Sequence, residues 1–151
     1  MELSEYLAPD RVVLLKAATK REALSELAGV LARADGAIEQ STLEEAILKR
    51  EGLMSTGIGN GLAIPHVRMP EITTAMMTVG VNRNGIDDYE SLDNEPVHIV
   101  VLIAAPEGQH ETYIRLLAKA ADVLKQPGLR KAIVDSDDRQ EIYRILTEGS
   151  R

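Results

Sequence analysis

Short continuous apolar runs stand at four places in the chain and predict four strands. The runs at 75–81 and 97–104 have strand length, and the second is so uniformly apolar that we expect it to be covered on both faces. A shorter run at 11–15 predicts a first strand, and the "LAIPH" segment at 62–66 predicts another. Polar segments separate these runs, so the strands are expected to be joined by loops and helices.

Helical spacing of apolar residues fills much of the remaining sequence. Thr19 and Glu22 form a Ser/Thr-x-x-Glu capping box before a periodic run that Gly36 ends. A second box of this kind is formed by Thr42 and Glu45. Helices are predicted at both sites.

Three more helices are predicted after the last strand, starting near residues 110, 129 and 139. The inward face of the first is expected to consist of Ile114, Leu117, Ala121 and Leu124. The order β-α-α-β-β-β-α-α-α predicts an α/β fold, a three-layer α/β/α sandwich with a small mixed sheet between helical layers. The length of 151 residues suits one core, so residues 1–151 are assigned to a single domain.

Composition excludes several classes of function. The absence of cysteine excludes disulfides, thiolate zinc ligands and a cysteine nucleophile. A net charge of −7 without a block of basic residues argues against a nucleic-acid-binding surface. The sequence has no signal-peptide pattern and no apolar run near the roughly 20 residues that span a bilayer. We therefore expect a cytoplasmic protein without membrane insertion.

The segment "TGIGNGLAIPH" at 56–66 is the most distinctive motif. Its spacing is GxGxG rather than GxGxxG, and it runs from a helix into a strand, which argues against a nucleotide-binding loop. Glycine lets a backbone approach a ligand closely, and two neighbouring side chains add hydrogen-bond donors. The segment is interpreted as a loop that cradles a phosphoryl group, formed by Thr56, Gly57, Gly59, Asn60 and Gly61.

Three histidines are candidates for chemistry. His66 closes the glycine-rich segment, and an imidazole near neutral pH is a competent nucleophile. His98 lies within an apolar strand and is interpreted as a structural polar residue. His110 starts a helix on its predicted inward side, where the helix dipole favours the neutral ring. That ring would donate to a phosphoryl oxygen, or would be a plain polar residue at a helix start. The separations of the three have no metal-ligand spacing, so no metal site is predicted.

Arg50 continues the face of the second helix that carries Leu43 and Ile47. An inward guanidinium would require an anion, which a phosphoryl group would supply. A cation near a helix C-terminus is also favourable without any function, so both interpretations stay open.

These motifs carry a family resemblance. The segment "KREGLMSTGIGNGLAIPH" at 49–66 closely resembles the active-site segment of fructose/mannitol-type enzyme IIA domains of the bacterial sugar phosphotransferase system. That family includes the nitrogen-regulatory enzyme IIA. The segment "GQHETYIRLLAKAADVL" at 108–124 resembles its second-histidine helix, and "SLDNEPVHIVVLIAAP" at 91–106 resembles the preceding strand. The resemblance extends over residues 1–146.

The resemblance implies a phosphotransferase component that carries a phosphohistidine and needs no cofactor. In such proteins a phosphoryl group passes from phosphoenolpyruvate through enzyme I and the carrier HPr to a histidine, which matches His66. It then passes to an enzyme IIB for sugar uptake. Arg50 and His110 match the residues that assist phosphate binding.

Two further roles are compatible with the same fold. A regulatory IIA would use its phosphorylation state to control binding to another protein. A non-phosphorylated, transporter-associated domain would have kept only the fold, and the presence of His66 with Arg50 and His110 argues against it. The chain departs from the family at Val67, where glycine is usual, and at Glu111, where leucine is usual. Both bear on partner choice, and Glu111 is expected to face solvent.

Overall fold

A mixed six-stranded sheet forms the centre of the protein in a computed structural model that describes residues 1–150. The strands are β1 (Val12–Leu14), β2 (Gly57–Gly59), β3 (Leu62–Ala63), β4 (His66–Met69), β5 (Met76–Ile86) and β6 (Val97–Pro106). Their order is β1-β5-β6-β3-β2, with β4 also paired to β6, beyond β3. Strands β5 and β6 are antiparallel, whereas β3 and β4 both run parallel to β6.

Helices cover both faces of this sheet. They are α1 (Lys20–Asp35), α2 (Gln40–Leu53), α3 (His110–Leu124), α4 (Pro127–Asp135) and α5 (Arg139–Gly149). Helices α1 and α2 pack on one face and α3, α4 and α5 on the other. The predicted three-layer α/β/α architecture is confirmed. The single "LAIPH" strand of the prediction is instead divided between β3 and β4.

Strand β6 is buried on both faces, as its continuous apolar sequence predicted. Ile99, Val101 and Ile103 belong to the core cluster under α3, α4 and α5. Val100 and Leu102 belong to the cluster under α1 and α2. Both halves of the core are built from aliphatic side chains with a few tyrosines, because the chain lacks phenylalanine and tryptophan.

The first predicted helix boundaries are confirmed. The Thr19 hydroxyl accepts a hydrogen bond from the Glu22 backbone N–H at 3.2 Å and so caps α1. Gly36 ends the helix with φ +78°, a left-handed conformation that suits glycine.

The second predicted capping box is wrong, because α2 begins earlier, at Gln40. Thr42 and Glu45 therefore lie inside the helix. The turn before it is held instead by the Asp35 carboxylate, which accepts from the backbone N–H groups of Ala37 and Ile38 at 3.2 and 3.1 Å.

The predicted inward face of α3 is displaced by about one residue. Ile114 is 47% exposed, whereas Tyr113 is buried. Apolar residues at adjacent positions give this helix two neighbouring apolar stripes, and the stripe that packs against the sheet is not the predicted one. Its buried residues are Tyr113, Leu116, Ala120, Val123 and Leu124. His110 is exposed rather than inward, and Glu111 is exposed as expected.

Within residues 1–150, no helix combines the length and the apolar composition needed to cross a membrane.

Candidate active site

A break in the edge of the sheet positions His66. Strand β3 pairs with Ile99 and Val100 of β6, and β4 begins with His66 opposite Ile103. Pro65, between the two, has no N–H for the ladder but accepts from the Ile103 N–H at 3.0 Å. The interruption frees the neighbouring carbonyl group for another partner.

That partner is the imidazole of His66. Its Nδ1 lies 2.7 Å from the carbonyl oxygen of Ile64, and because a carbonyl only accepts, Nδ1 carries the proton. The neutral ring therefore has its lone pair on Nε2. Burial holds the pKa of His66 below its usual value; the Ile64 hydrogen bond opposes this shift, the charge of Arg50 reinforces it, and that of Glu51 opposes it. His66 is thus a neutral, nucleophilic imidazole at pH 7.

His66 lines an open pocket of about 380 Å³ in which every charged side chain is a cation. The cations are Lys49 and Arg50 from α2 and Arg68 from β4. Among residues 1–150, no carboxylate lines it, although the chain has a net charge of −7. Such a pocket favours a multiply charged anion. The lining consists of Ala46, Lys49, Arg50, Leu53, His66, Val67, Arg68, Met69 and Tyr113.

Arg50 has a contact that fits its structural interpretation and a position that is compatible with the functional one. Its Nη1 donates to the carbonyl oxygen of Met54, the C-cap residue of α2, at 3.0 Å, which is the structural role of a cation at a helix end. The same side chain lines the pocket with His66 and acts on its pKa. The structure therefore brings Arg50 and His66 together, as predicted.

Tyr113 and Arg68 line the pocket but are not among the site residues predicted from the sequence. The rings of Tyr113 and His66 meet edge to face, with centroids 5.6 Å apart and an interplanar angle of 61°. The Arg68 guanidinium lies 5.6 Å from the Tyr113 ring centroid and donates to the Glu107 carbonyl oxygen at 3.2 Å. Because α3 and β4 are more than 40 residues apart in the sequence, no local sequence signal indicated this cluster.

The glycine-rich segment forms a β-hairpin. Gly57 pairs with Ala63, and the turn between β2 and β3 has φ +59° at Asn60 and φ +74° at Gly61. Asn-Gly with two positive φ angles is typical of a tight type I′ hairpin turn. The Asn60 N–H donates to the Asp93 carboxylate at 2.8 Å, so a side-chain anion already occupies this donor.

The hairpin turn and His66 lie at different levels along β6. Leu62, next to the turn, pairs with Ile99, whereas His66 pairs with Ile103. Four residues along a strand correspond to about 13 Å. The structure therefore places the turn residues Gly59, Asn60 and Gly61 away from His66, whereas the sequence predicted a loop around a phosphoryl group on that ring. The occurrence of Asn60 and Gly61 is explained instead by the geometry of the hairpin turn.

Gly57 is explained by a close approach to another segment. A side chain there would collide with the backbone at Glu90, in the β5–β6 connection. Ser91 forms an isolated bridge with Gly57, and the Leu92 N–H donates to the Gly57 carbonyl oxygen at 3.2 Å. Gly57 thus allows the hairpin to rest against that connection.

Thr56 lies in a buried hydrogen-bond network behind His66. Its N–H and hydroxyl donate to the two carboxylate oxygens of Glu51 at 3.2 and 2.6 Å. Its carbonyl oxygen accepts from the Ile64 N–H at 3.1 Å. Because Ile64 also holds the His66 ring, Thr56 connects to His66 through the backbone.

Glu51 is the centre of this network and was missed from the sequence. It is 4% exposed and pairs with Lys20 Nζ at 3.2 Å. Lys20 also lies 4.6 Å from the ring centroid of Tyr89, whose hydroxyl is 3.0 Å from the Thr56 hydroxyl. Burial raises the pKa of Tyr89, and the charge of Glu51 raises it further. The sequence feature that could have identified Glu51 was a carboxylate directly after Arg50, on a helix with a partly buried face.

The other two histidines stand apart from the pocket lining. His98 is half-buried, and its Nδ1 lies 3.0 Å from the Asn82 carbonyl oxygen, in keeping with a structural role. His110 is exposed at the first position of α3, one turn before Tyr113. Within residues 1–150, no group of three or more His, Asp or Glu side chains is placed to hold a metal ion.

A larger cleft of about 880 Å³ lies beside β1 and α1, and strands β5 and β6 separate β1 from β4. Its charged lining mixes both signs: Asp10, Arg11, Lys16, Glu22, Glu26, Arg33 and Arg139. It contains no histidine among the residues that the structure describes, so the smaller pocket at His66 is the better candidate for chemistry.

Comparison with known proteins identifies the family of this chain. The model of the family "phosphoenolpyruvate-dependent sugar phosphotransferase system, EIIA 2" matches residues 5–149. The chain is 35% identical to a nitrogen regulatory protein of Bradyrhizobium diazoefficiens, with 97% of this chain and 95% of that protein covered. It is 32% identical to the fructose-specific EIIABC component of Bacillus subtilis over 100% of this chain, which spans only 24% of that protein.

The fold agrees as well. The crystal structure of the nitrogen regulatory protein IIA-Ntr of Neisseria meningitidis superimposes with a TM-score of 0.88 at 26% identity, covering 95% of this chain and 97% of that one. The chain therefore belongs to the type 2 enzyme IIA family of the phosphoenolpyruvate-dependent sugar phosphotransferase system.

Proposed function

We propose that the protein is a phosphohistidine carrier that accepts a phosphoryl group on Nε2 of His66. One observation carries the proposal: an imidazole with its Nδ1 proton held by Ile64 opens into a pocket whose charged lining is entirely cationic. Membership of the enzyme IIA family supports phosphoryl transfer as the reaction.

The proposed donor is the phosphohistidine of HPr. The phosphorus–nitrogen bond to the donor breaks while the bond to Nε2 of His66 forms, in line, and the Nδ1 proton stays in place. The protein contributes positioning and charge stabilisation, since the transferred group carries dense negative charge. Arg50 is proposed to stabilise that charge, and Lys49 and Arg68 add to the cationic lining.

His110 is proposed to assist at a later stage. It is exposed one turn before Tyr113, at the N-terminus of α3, so its side chain is positioned for the approach of a partner. We expect it to act on the phosphoryl group during onward transfer.

Phosphotransfer with purified components tests the central proposal. Incubation with enzyme I, HPr and phosphoenolpyruvate should add one acid-labile phosphoryl group, and His66→Ala should abolish labelling while the thermal unfolding transition persists. His110→Ala is the matched control: it should still be labelled but should pass the group on more slowly. Undiminished labelling of His66→Ala would exclude His66 as the acceptor.

The proposed acceptor of the group is an enzyme IIB for sugar uptake. The B. subtilis relative carries the name EIIABC, which joins A, B and C components in one protein. Transfer from the phosphorylated protein to a purified IIB would support this role. These partners are cytoplasmic components, so we propose a cytoplasmic location.

A regulatory role is the second candidate, and the likeness to the N. meningitidis IIA-Ntr and the B. diazoefficiens nitrogen regulatory protein favours it. In that case phosphorylation at His66 controls binding to a target protein. A target that binds the unphosphorylated form and is released on phosphorylation, without taking the phosphoryl group, would support regulation over transport.

A further inference from the structure

We propose that the hydroxyl group of Tyr113 is a catalytic hydrogen-bond donor to the phosphoryl group on His66. The inference rests on the proposed function and deepens it, because it adds a neutral donor to a pocket whose charged side chains are all cations. His110 was one candidate donor on α3 from the sequence, with a plain polar role as the alternative, and it is exposed and stands outside the pocket lining formed by the described residues.

The ring of Tyr113 is fixed on two sides. The Tyr113 and His66 rings meet edge to face with centroids 5.6 Å apart, and the Arg68 guanidinium lies 5.6 Å from the Tyr113 centroid. The residue is 8% exposed and belongs to the core cluster under α3. A side chain held in this way places its hydroxyl with little loss of conformational entropy when a ligand arrives.

The hydroxyl is available to a ligand. Within residues 1–150 no protein group forms a hydrogen bond with it, whereas the more deeply buried Tyr89 hydroxyl contacts Thr56 Oγ1 at 3.0 Å. The charges of Arg68 and Arg50 both act on the Tyr113 phenol, so the hydroxyl lies in the field of the two guanidinium groups. An anion bound between those cations lies beside an unused donor.

The phenol keeps its proton under working conditions. Burial raises the pKa of Tyr113 to about 12, against the opposing charges of Arg68 and Arg50. At neutral pH the hydroxyl is therefore a donor and brings no negative charge that would repel a phosphoryl oxygen. Hydrogen bonds to charged acceptors are stronger than those between neutral groups.

Tyr113→Phe isolates the hydroxyl, because it keeps the ring, the edge contact with His66 and the contact with Arg68. The equilibrium between phospho-HPr and the phosphorylated protein is measured for both forms after mixing purified phospho-HPr with each. Loss of a hydrogen bond to the phosphoryl group should shift this equilibrium towards phospho-HPr by on the order of 10- to 100-fold. The phosphorus NMR signal of the phosphohistidine should also move. Tyr143→Phe on α5, outside the pocket, is the matched control and should change neither measurement.

The outcomes separate this inference from the proposed function. If wild type is not labelled at His66, the proposed function fails. If wild type is labelled there and Tyr113→Phe shows the wild-type equilibrium and phosphorus signal, the Tyr113 inference alone is overturned. Thermal unfolding of both Phe variants verifies that any shift occurs in a folded protein.

Discussion

The Nδ1 nitrogen of His66 lies 2.7 Å from the backbone carbonyl oxygen of Ile64, only two residues earlier in the chain. The tautomer of the candidate nucleophile is therefore fixed by the backbone just before its strand rather than by a distant carboxylate. Pro65 stands between the two and interrupts the sheet edge, which leaves the Ile64 carbonyl group free for the imidazole. A local irregularity of the backbone thus leaves the lone pair of the neutral ring on Nε2.

The first prediction concerns pH. Because burial lowers the pKa of His66, imidazole titration followed by NMR should give a midpoint below 6.5, the ordinary value. The unfolded chain then binds a proton more readily than the folded one as pH falls. The contribution of the neutral His66 ring to the free energy of unfolding is fully present at pH values above 6.5. It is lost as the pH falls from 6.5 to the pKa of His66 in the folded protein. Wild type should accordingly lose stability relative to His66→Gln as the pH falls below 6.5. A midpoint at or above 6.5 would contradict this.

The second prediction separates the two roles of Arg50. Arg50→Lys keeps the charge but loses the planar fork, so phosphoryl transfer should slow about tenfold or more while thermal stability changes little. The Met54 carbonyl oxygen accepts the bond at an exposed helix end, where water replaces it at small cost. The control is Arg144→Lys, whose side chain is 61% exposed on α5. A large loss of stability with normal transfer rates would instead assign Arg50 a purely structural role.

The third prediction tests the buried network. Glu51→Gln removes the charge that Lys20 faces and an acceptor for the Thr56 hydroxyl, and should lower the free energy of unfolding by about 2 kcal/mol. The loss of negative charge should also lower the pKa of His66 further. Urea unfolding and imidazole titration measure the two effects.

Glu90→Gln is the matched control for Glu51→Gln, since Glu90 pairs with the same Lys20 at 3.4 Å but its side chain is 70% exposed. It should change stability by less than about 0.5 kcal/mol and leave the His66 titration unaltered. Equal effects of the two substitutions would show that the burial of Glu51 has no special consequence.

The fourth prediction asks what the hairpin glycines do. Gly61→Ala places an alanine at φ +74°, where L residues are strained, and its Cβ would lie 3.3 Å from Cδ2 of His98. The substitution should therefore destabilise the protein by about 1 kcal/mol. Labelling of His66 at a temperature where the variant is folded should match wild type. Gly108→Ala, which meets no atom within 4 Å, is the control and should not destabilise. Selective loss of labelling in folded Gly61→Ala would restore the phosphate-loop interpretation.

Local signals in the sequence identified the elements that depend on neighbouring residues. The cap at Thr19, the end of α1 at Gly36 and the doubly buried β6 were all readable, because each depends on a few adjacent positions. The Asn60-Gly61 pair was also a hairpin signal, but the alternate glycines favoured a ligand interpretation.

Contacts between distant segments could not be read in this way. Tyr113 meets His66 only because α3 packs over the sheet edge where β4 pairs with β6. The Lys20 partner Glu90 lies 70 residues later in the chain. The choice between the two apolar stripes of α3 likewise depends on the sheet beneath it, which is why His110 was expected inward and Tyr113 was overlooked.

The pairing of β4 has a consequence for protein synthesis. In the described chain the strand that carries His66 pairs with β6 alone, and His66 itself pairs with Ile103. A nascent chain that ends before β6 therefore lacks the strand against which β4 pairs. Tyr113 emerges later still. In a ribosome-bound chain the surroundings of His66 are therefore incomplete until β6 and α3 have left the exit tunnel, so the proposed phosphorylation should be restricted to chains in which both elements have folded.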